Sequence, residues 1–186
     1  MVYPDREALV YGKDRYTYKE YYGRVTLLAS GLEKRGIKAG DVVATILPNT
    51  PAQVEAHFGV PAIGAILNTI NTRLDVKTVA YIFDHGEAKI VIVDSQFLTL
   101  AEDAKKLCES SGPEIIEVED VNSGFKKSER YLEYEELLLM GDENFNWVMP
   151  EDEWESISLN YTSGTTGRPK GVVCHHRGAY LMTMGT

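Results

Sequence analysis

The chain has 186 residues, 44% of them hydrophobic and 25% charged, and a formal net charge of −9 at pH 7. That composition is ordinary for a globular chain, and it excludes collagen, wholesale disorder and a disulfide scaffold. The acidic balance argues against duplex nucleic acid as the main partner, because phosphate backbones need clustered Lys and Arg. Cys108 and Cys174 show no metal-ligand spacing and read as free thiols of a cytosolic protein. Charges begin at residue 5, without an apolar signal core. The longest uncharged stretch, 56–72, carries His57, Pro61, Asn68 and Asn71, too polar for a membrane span of about 20 apolar residues.

In chain order, ALVY, the turn 12–14 and RYTY predict a small hairpin. Thr17 with Glu20 three residues on is a capping-box signature. A helix follows to about Arg35, with Tyr22, Val25, Leu28, Ala29 and Leu32 at helical spacing and Gly36 ending it. VVATIL (42–47) predicts a buried strand. Asn49, Thr50 and Pro51 open a second helix, which Pro61 interrupts. AILNTI (65–70) is a strand, Asp75 caps a third helix to about His85, and AKIVIVD (88–94) is another strand. A helix over 98–109 and a strand at EIIEV (114–118) complete the alternation, which predicts a largely parallel α/β sheet covered by helices.

Residues 114–155 hold fourteen acidic side chains against Lys126, Lys127 and Arg130, a net of −11, so the rest sums to +2. This segment reads either as a solvated excursion between core elements or as an acidic docking surface. VNSGFKKSER within it reads as a loop.

The most informative stretch is 156–177, SISLNYTSGTTGRPKGVVCHHR. SISLNYT ends a strand, VVCH begins another, and RGAYLMTMGT can start a helix. Between the strands, Gly164 and Gly167 allow positive φ and close approach of backbone N–H groups to an anion. Thr162, Ser163, Thr165 and Thr166 offer hydroxyl donors, Lys170 adds positive charge, and Pro169 restrains the loop before it. The pattern is not a Walker A loop, because Lys170 lies between Pro169 and Gly171, and G-x-G-x-x-G is absent from it. The residues alone leave two readings open: a polyphosphate-binding loop, or a Gly/Thr-rich hairpin turn without a ligand.

YTSGTTGRPKG (161–171) resembles the signature loop of the adenylate-forming superfamily, which includes acyl-CoA synthetases, luciferases and peptide-synthetase adenylation domains. YPDREALVYG, GIKAGDVVATILPN, GAILNTINTRL and HGEAKIVIVD carry the likeness across the chain. The loop region is most similar to the short- and medium-chain acyl-CoA ligases, among them methylmercaptopropionate-CoA ligase and plant peroxisomal acyl-activating enzymes. The resemblance implies that residues 1–186 are part of the large N-terminal AMP-binding domain. Within it, 1–110 form the α/β part, 111–155 an acidic, loop-rich connection, and 156–186 the phosphate-loop hairpin and the start of the next helix, with the C-terminal domain absent. It further implies ATP, Mg²⁺ and coenzyme A as cosubstrates and a two-step reaction of fatty-acid and lipid metabolism. A carboxylate attacks the α-phosphate, releasing pyrophosphate, and the CoA thiol then displaces AMP. Thr162, Ser163, Gly164, Thr165, Thr166, Gly167, Arg168, Pro169 and Lys170 would bind the β- and γ-phosphates, and Thr162 would also meet Mg²⁺.

The catalytic lysine is expected downstream, so 1–186 is expected to be a fragment inactive alone, exposing apolar faces. Partners are a small carboxylic acid, ATP and CoA, with no nucleic acid and no membrane span. A homodimer is compatible with the full-length enzyme. The default location is the cytoplasm, or the peroxisome where a C-terminal signal exists downstream. Two alternatives stay open, an adenylate-forming enzyme with a carrier-protein acceptor and a non-catalytic nucleotide-binding module. A P-loop kinase or ATPase is disfavoured by Pro169-Lys170-Gly171.

Among other residues, His175 and His176 are the best imidazole candidates for acid–base work, though neither has a nameable carboxylate partner, and His176 matches a family histidine of structural role. His57 and His85 read as packed or surface residues. Asn71-Thr72-Arg73-Leu74 reads as the approach to a helix, and Tyr16, Tyr18, Tyr21 and Tyr22 as packing at the hairpin–helix junction.

Overall fold

A computed structural model describes residues 2–162 and 167–185. The hairpin β1 (Glu7–Tyr11) and β2 (Asp14–Thr17) is antiparallel. It leads straight into α1 (Tyr18–Lys34), which opens on a complete capping box. The Thr17 hydroxyl accepts from the Glu20 N–H, and the Glu20 carboxylate accepts from the Thr17 N–H. Each bond satisfies a donor that a helix start would otherwise leave unpaired.

The remaining strands are β3 (Val42–Ile46), β4 (Ile66–Thr69), β5 (Ala88–Asp94), β6 (Glu114–Val118), β7 (Leu132–Glu133), β8 (Ser156–Thr162) and β9 (Lys170–His175). They form one seven-stranded sheet in the order β7-β6-β5-β3-β4-β8-β9, parallel throughout except for the β8–β9 hairpin. The expected α/β sheet is thus present. β3 has β4 on one side and β5 on the other, so the chain reverses its direction of travel across the sheet there. In open α/β sheets, crevices at the carboxyl ends of strands near such a reversal are where ligands bind.

The helices are α2 (Pro51–Gly59), α3 (Val76–His85), α4 (Leu98–Leu107), α5 (Tyr134–Leu139) and α6 (His176–Met184). Pro61 ends α2 as predicted and starts a short 3₁₀ turn. Asp75 caps α3 by accepting from the N–H groups of Lys77 and Thr78. Successive strand residues face opposite layers. Val43, Ile90, Ile92 and Ile116 pack with Leu28, Leu32, Ala56 and Leu137 of α1, α2 and α5. Ala44, Ile46, Val91 and Val93 pack with Val79, Phe83 and Ala101 of α3 and α4. β3 and β5 are covered on both faces, which is why they read as near-continuous apolar runs.

The segment 111–155 contributes more to the core than its charge suggested. It contains β6, β7 and α5, and Tyr134, Leu137 and Leu138 are buried. α5 lies so close to α1 that a Cβ on Gly31 would stand 2.6 Å from the Leu137 carbonyl oxygen. Trp147 then reaches back to α1, donating its indole N–H to Thr26 Oγ1 (3.0 Å) and stacking on Tyr22 at 4.9 Å. The acidic side chains ride on an apolar backbone of contacts. Of the tyrosines at the hairpin–helix junction, Tyr21 packs as expected, edge-on to Phe58 with its hydroxyl donating to the Val54 carbonyl, while Tyr18 is exposed. At the other end of the sheet, Val172, Val173, Tyr180, Leu181, Met182 and Met184 of β9 and α6 are exposed.

Candidate functional site

The stems of the loop are built by the β8–β9 hairpin. Tyr161 lies opposite Gly171 and Thr162 opposite Lys170. A Cβ on Gly171 would stand 2.9 Å from Leu159 Cδ1 and about a contact distance from the Tyr161 ring, so that glycine leaves room for the aromatic stem residue. Thr162 ends β8 at the carboxyl edge of the parallel sheet, beside the end of β4, and its side chain is exposed. Lys170 is also exposed and has no ion pair among the described residues. Gly167 sits at φ +123°, in the region that favours glycine. Ser163, Gly164, Thr165 and Thr166 lie outside the described residues.

A cleft of about 370 Å³ opens where β4 and β8 end, lined by Asn68, Thr69, Asn71, Leu74, Tyr161 and Thr162 among others. The backbone register of β8 on β4 is a single pair, Leu67 with Ser158. Side chains reinforce it: the Thr69 hydroxyl donates to Asn160 Oδ1 at 2.7 Å. Asn71 accepts from the Arg73 N–H at 3.0 Å, so the Asn-Thr-Arg-Leu stretch does turn the chain toward α3, and it also walls the cleft. Asn68 is fully buried, and its amide has no hydrogen-bond partner among the described residues.

On the other side of the hairpin, a groove of about 750 Å³ runs between α3, the end of α4 and the loop exit at Gly167, Arg168 and Pro169. Here the Arg168 guanidinium lies 5.6 Å above the Tyr81 ring. The Tyr161 hydroxyl shares a hydrogen bond of 2.7 Å with His85 Nδ1. Burial, and to a lesser degree neighbouring Tyr81, pushes the Tyr161 phenol above its ordinary value, so it stays protonated at neutral pH. Sequence reasoning took His85 as a packed or surface residue and did not single out Tyr81. Their spacing of four on one helix face was the available signal.

His175 caps α6, its Nδ1 accepting from the Gly178 N–H at 2.9 Å, and its ring packs against Trp154. The His176 backbone N–H is bound by the Glu155 carbonyl. His57 turns back on its own helix, with Nδ1 2.7 Å from the Gln53 carbonyl oxygen. Cys108 and Cys174 are free. Among the described residues, no group of three or more His, Cys, Asp or Glu side chains is arranged to hold a metal ion. None of the described helices is long and apolar enough to cross a membrane.

A hairpin with a Gly- and hydroxyl-rich tip at the carboxyl edge of a parallel sheet defines a class, and comparison with known proteins names it. The model of the AMP-binding enzyme family matches residues 1–186, and the chain belongs to that family. It is 45% identical to the acetate/butyrate–CoA ligase AAE7, peroxisomal, of Arabidopsis thaliana, and 44% identical to the acetate–CoA ligase CCL3 of Humulus lupulus. The matches take in 99% and 98% of this chain and 34% of each of those proteins, so the chain spans about a third of their length. Two solved structures share the fold. The anthranilate CoA ligase AuaEII, in complex with anthranoyl-AMP, superposes with a TM-score of 0.89 at 24% identity, over 98% of this chain and 34% of that one. The luciferase-like enzyme of the mealworm Zophobas morio does so with a TM-score of 0.83 at 27% identity, over 95% and 40%.

Proposed function

We propose that this chain supplies the phosphate-binding part of an ATP-dependent acyl-CoA ligase acting on a short- or medium-chain carboxylic acid. The observation that carries the reading is the pairing of Tyr161 with Gly171 and of Thr162 with Lys170, which sets both ends of YTSGTTGRPKG side by side at the carboxyl edge of the sheet. Membership in the AMP-binding family and the ligase names of its relatives support it. Residues 156–186 are the working hairpin, 1–110 are the scaffold that holds it, and 111–155 brace the far end of the sheet.

In this reading Thr162, Ser163, Thr165 and Thr166 donate hydroxyl hydrogen bonds to the β- and γ-phosphates. Backbone N–H groups of the loop add to these donors, and Lys170 brings the positive charge of its ammonium group. These donors answer the charge that moves onto pyrophosphate as the carboxylate takes its place on the α-phosphate. Arg168 lends positive charge at the loop exit while its guanidinium lies over Tyr81. The exposed Thr162 hydroxyl suits a hard cation as a single oxygen donor beside phosphate oxygens, where Mg²⁺ when bound would neutralise charge. CoA as acceptor, and the peroxisome rather than the cytoplasm as location, rest on the names of the relatives.

The test is ATP–pyrophosphate exchange and acyl-CoA formation with a panel of carboxylic acids, run on the gene product that carries this chain. Lys170→Ala and Thr166→Val should each lose roughly 2–4 kcal/mol of transition-state stabilisation, as for a single oxyanion donor. Exchange unchanged in both would reduce the loop to scaffolding. Exchange without acyl-CoA formation would reassign the acceptor to a carrier-protein thiol.

A further inference from the structure

Both stems of the loop rest on one turn of α3. Tyr161, at the entrance, bonds His85 at 2.7 Å and meets the rings of His85 and Tyr81 edge-on, with centroids at 5.7 and 6.4 Å. Arg168, at the exit, lies over Tyr81 at 5.6 Å. Tyr81 and His85 are themselves in contact, with ring centroids 5.1 Å apart. The next residue, Gly86, makes the approach possible. A Cβ there would stand 2.9 Å from the Ile82 carbonyl oxygen, 3.3 Å from the Tyr161 hydroxyl and 3.4 Å from Asn68 Nδ2.

This support is needed because the backbone does little to fix the hairpin. β8 meets β4 in one registered pair, and β9 pairs with β8 alone among the described residues. Side-chain contacts therefore carry much of what fixes the stems against the sheet and α3. The anchors found are Thr69–Asn160 on the β4 side and the His85–Tyr81 pair on the α3 side.

We propose that Tyr81 and His85 form a clamp on the phosphate loop, with His85 a positioning residue that acts through Tyr161 on affinity for a polyphosphate. This rests on the phosphate reading of the loop. Ordering the stems before the ligand arrives leaves less conformational entropy to lose on binding. His85 touches no phosphate in this scheme. It holds the strand that ends in Thr162.

Two measurements on the gene product that carries this chain separate the clamp from the phosphate reading. The first is ligand-free amide hydrogen exchange at Lys170 and Gly171, which His85→Ala should accelerate, while His85→Asn, whose amide can replace Nδ1, should leave it near wild type. The second is calorimetric binding of magnesium pyrophosphate. His85→Ala and Tyr161→Phe should each weaken it by about three- to tenfold, the worth of one net hydrogen bond. The double variant should lose no more than either single one, and His85→Asn should bind within about twofold of wild type. Equal urea midpoints for all variants would show that folding is not the cause, and His85 is exposed enough to expect that.

Unchanged exchange in His85→Ala overturns the clamp whatever the loop binds. Fully additive losses, or His85→Asn as weak as His85→Ala, overturn the hydrogen bond as its means. If His85→Ala accelerates exchange but the wild-type chain does not bind pyrophosphate, the phosphate reading falls and takes the clamp's role in affinity with it.

Discussion

Arg24→Met should expose the energetic weak point of the helical layer. The Glu55 side chain is 0% exposed, and Arg24 bonds it through Nε at 2.5 Å and Nη2 at 3.3 Å. Tyr134, itself buried, donates its hydroxyl to the same carboxylate at 2.7 Å. Burial pulls the Arg24 guanidinium down, but its bonds to Glu135 and Glu55 more than offset this and hold it above its usual value. Removing one partner of a buried pair costs about 3–5 kcal/mol, because the other charge is left without compensation. The Tyr134 donor remains, which favours the lower end. Glu135, 57% exposed, adds at most about 0.5 kcal/mol. The expected loss is therefore about 3–4 kcal/mol, a large share of the roughly 5–15 kcal/mol that holds a domain together. Urea unfolding followed by tryptophan emission reads it, since Trp147 stacks on Tyr22 of α1, two residues before Arg24. Arg24→Met/Glu55→Gln should recover at least about 1 kcal/mol of the loss, because it removes the stranded charge. Arg24→Met within about 1 kcal/mol of wild type, or a double variant no more stable than the single one, would refute the reasoning.

Three further outcomes follow from the same structure. Gly31→Ala, which would stabilise an ordinary helix interior, should instead cost about 1–3 kcal/mol, because its methyl meets the Leu137 carbonyl at 2.6 Å; a gain in urea midpoint would refute the close packing of α5 on α1. Thr17→Ala should cost about 1 kcal/mol by breaking the capping box, and an unchanged midpoint would refute its role. Burial, followed by the charges of Asp120 and Glu117, holds Asp94 above the ordinary carboxylate range, and its Oδ2 has no partner among the described residues. A raised acid contributes stability below its unfolded value and loses it as pH rises through its folded value. Asp94→Asn should therefore be the more stable form at pH 7, with the difference from wild type vanishing toward acid; a difference that grows toward acid would show the opposite shift.

Most local structure was legible because its causes are local. The box at Thr17 and Glu20, the cap at Asp75 and the break at Pro61 act within four residues, and each helix or turn stands where those signals put it. The apolar runs of β3 and β5 announced strands buried on both faces. α5 was not legible: its six residues sit in an acidic stretch, and what holds them is contact with α1 more than a hundred positions earlier. What His85 bonds was not legible for the same reason. Its partner Tyr161 is 76 positions away, and nothing in the spacing joins them.

The sequence by itself determined the kinds of element, the parallel α/β class and the likeness to the AMP-binding family, because propensity, capping and a long motif are properties of neighbouring residues. Only the tertiary structure decided which turn of which helix the loop stands on. The sheet runs β7-β6-β5-β3-β4-β8-β9, out of chain order, and that reordering brings β8 beside β4 and sets Tyr161 against the end of α3. Strand order comes from the competition of whole apolar faces for cover, a balance no local stretch of sequence contains.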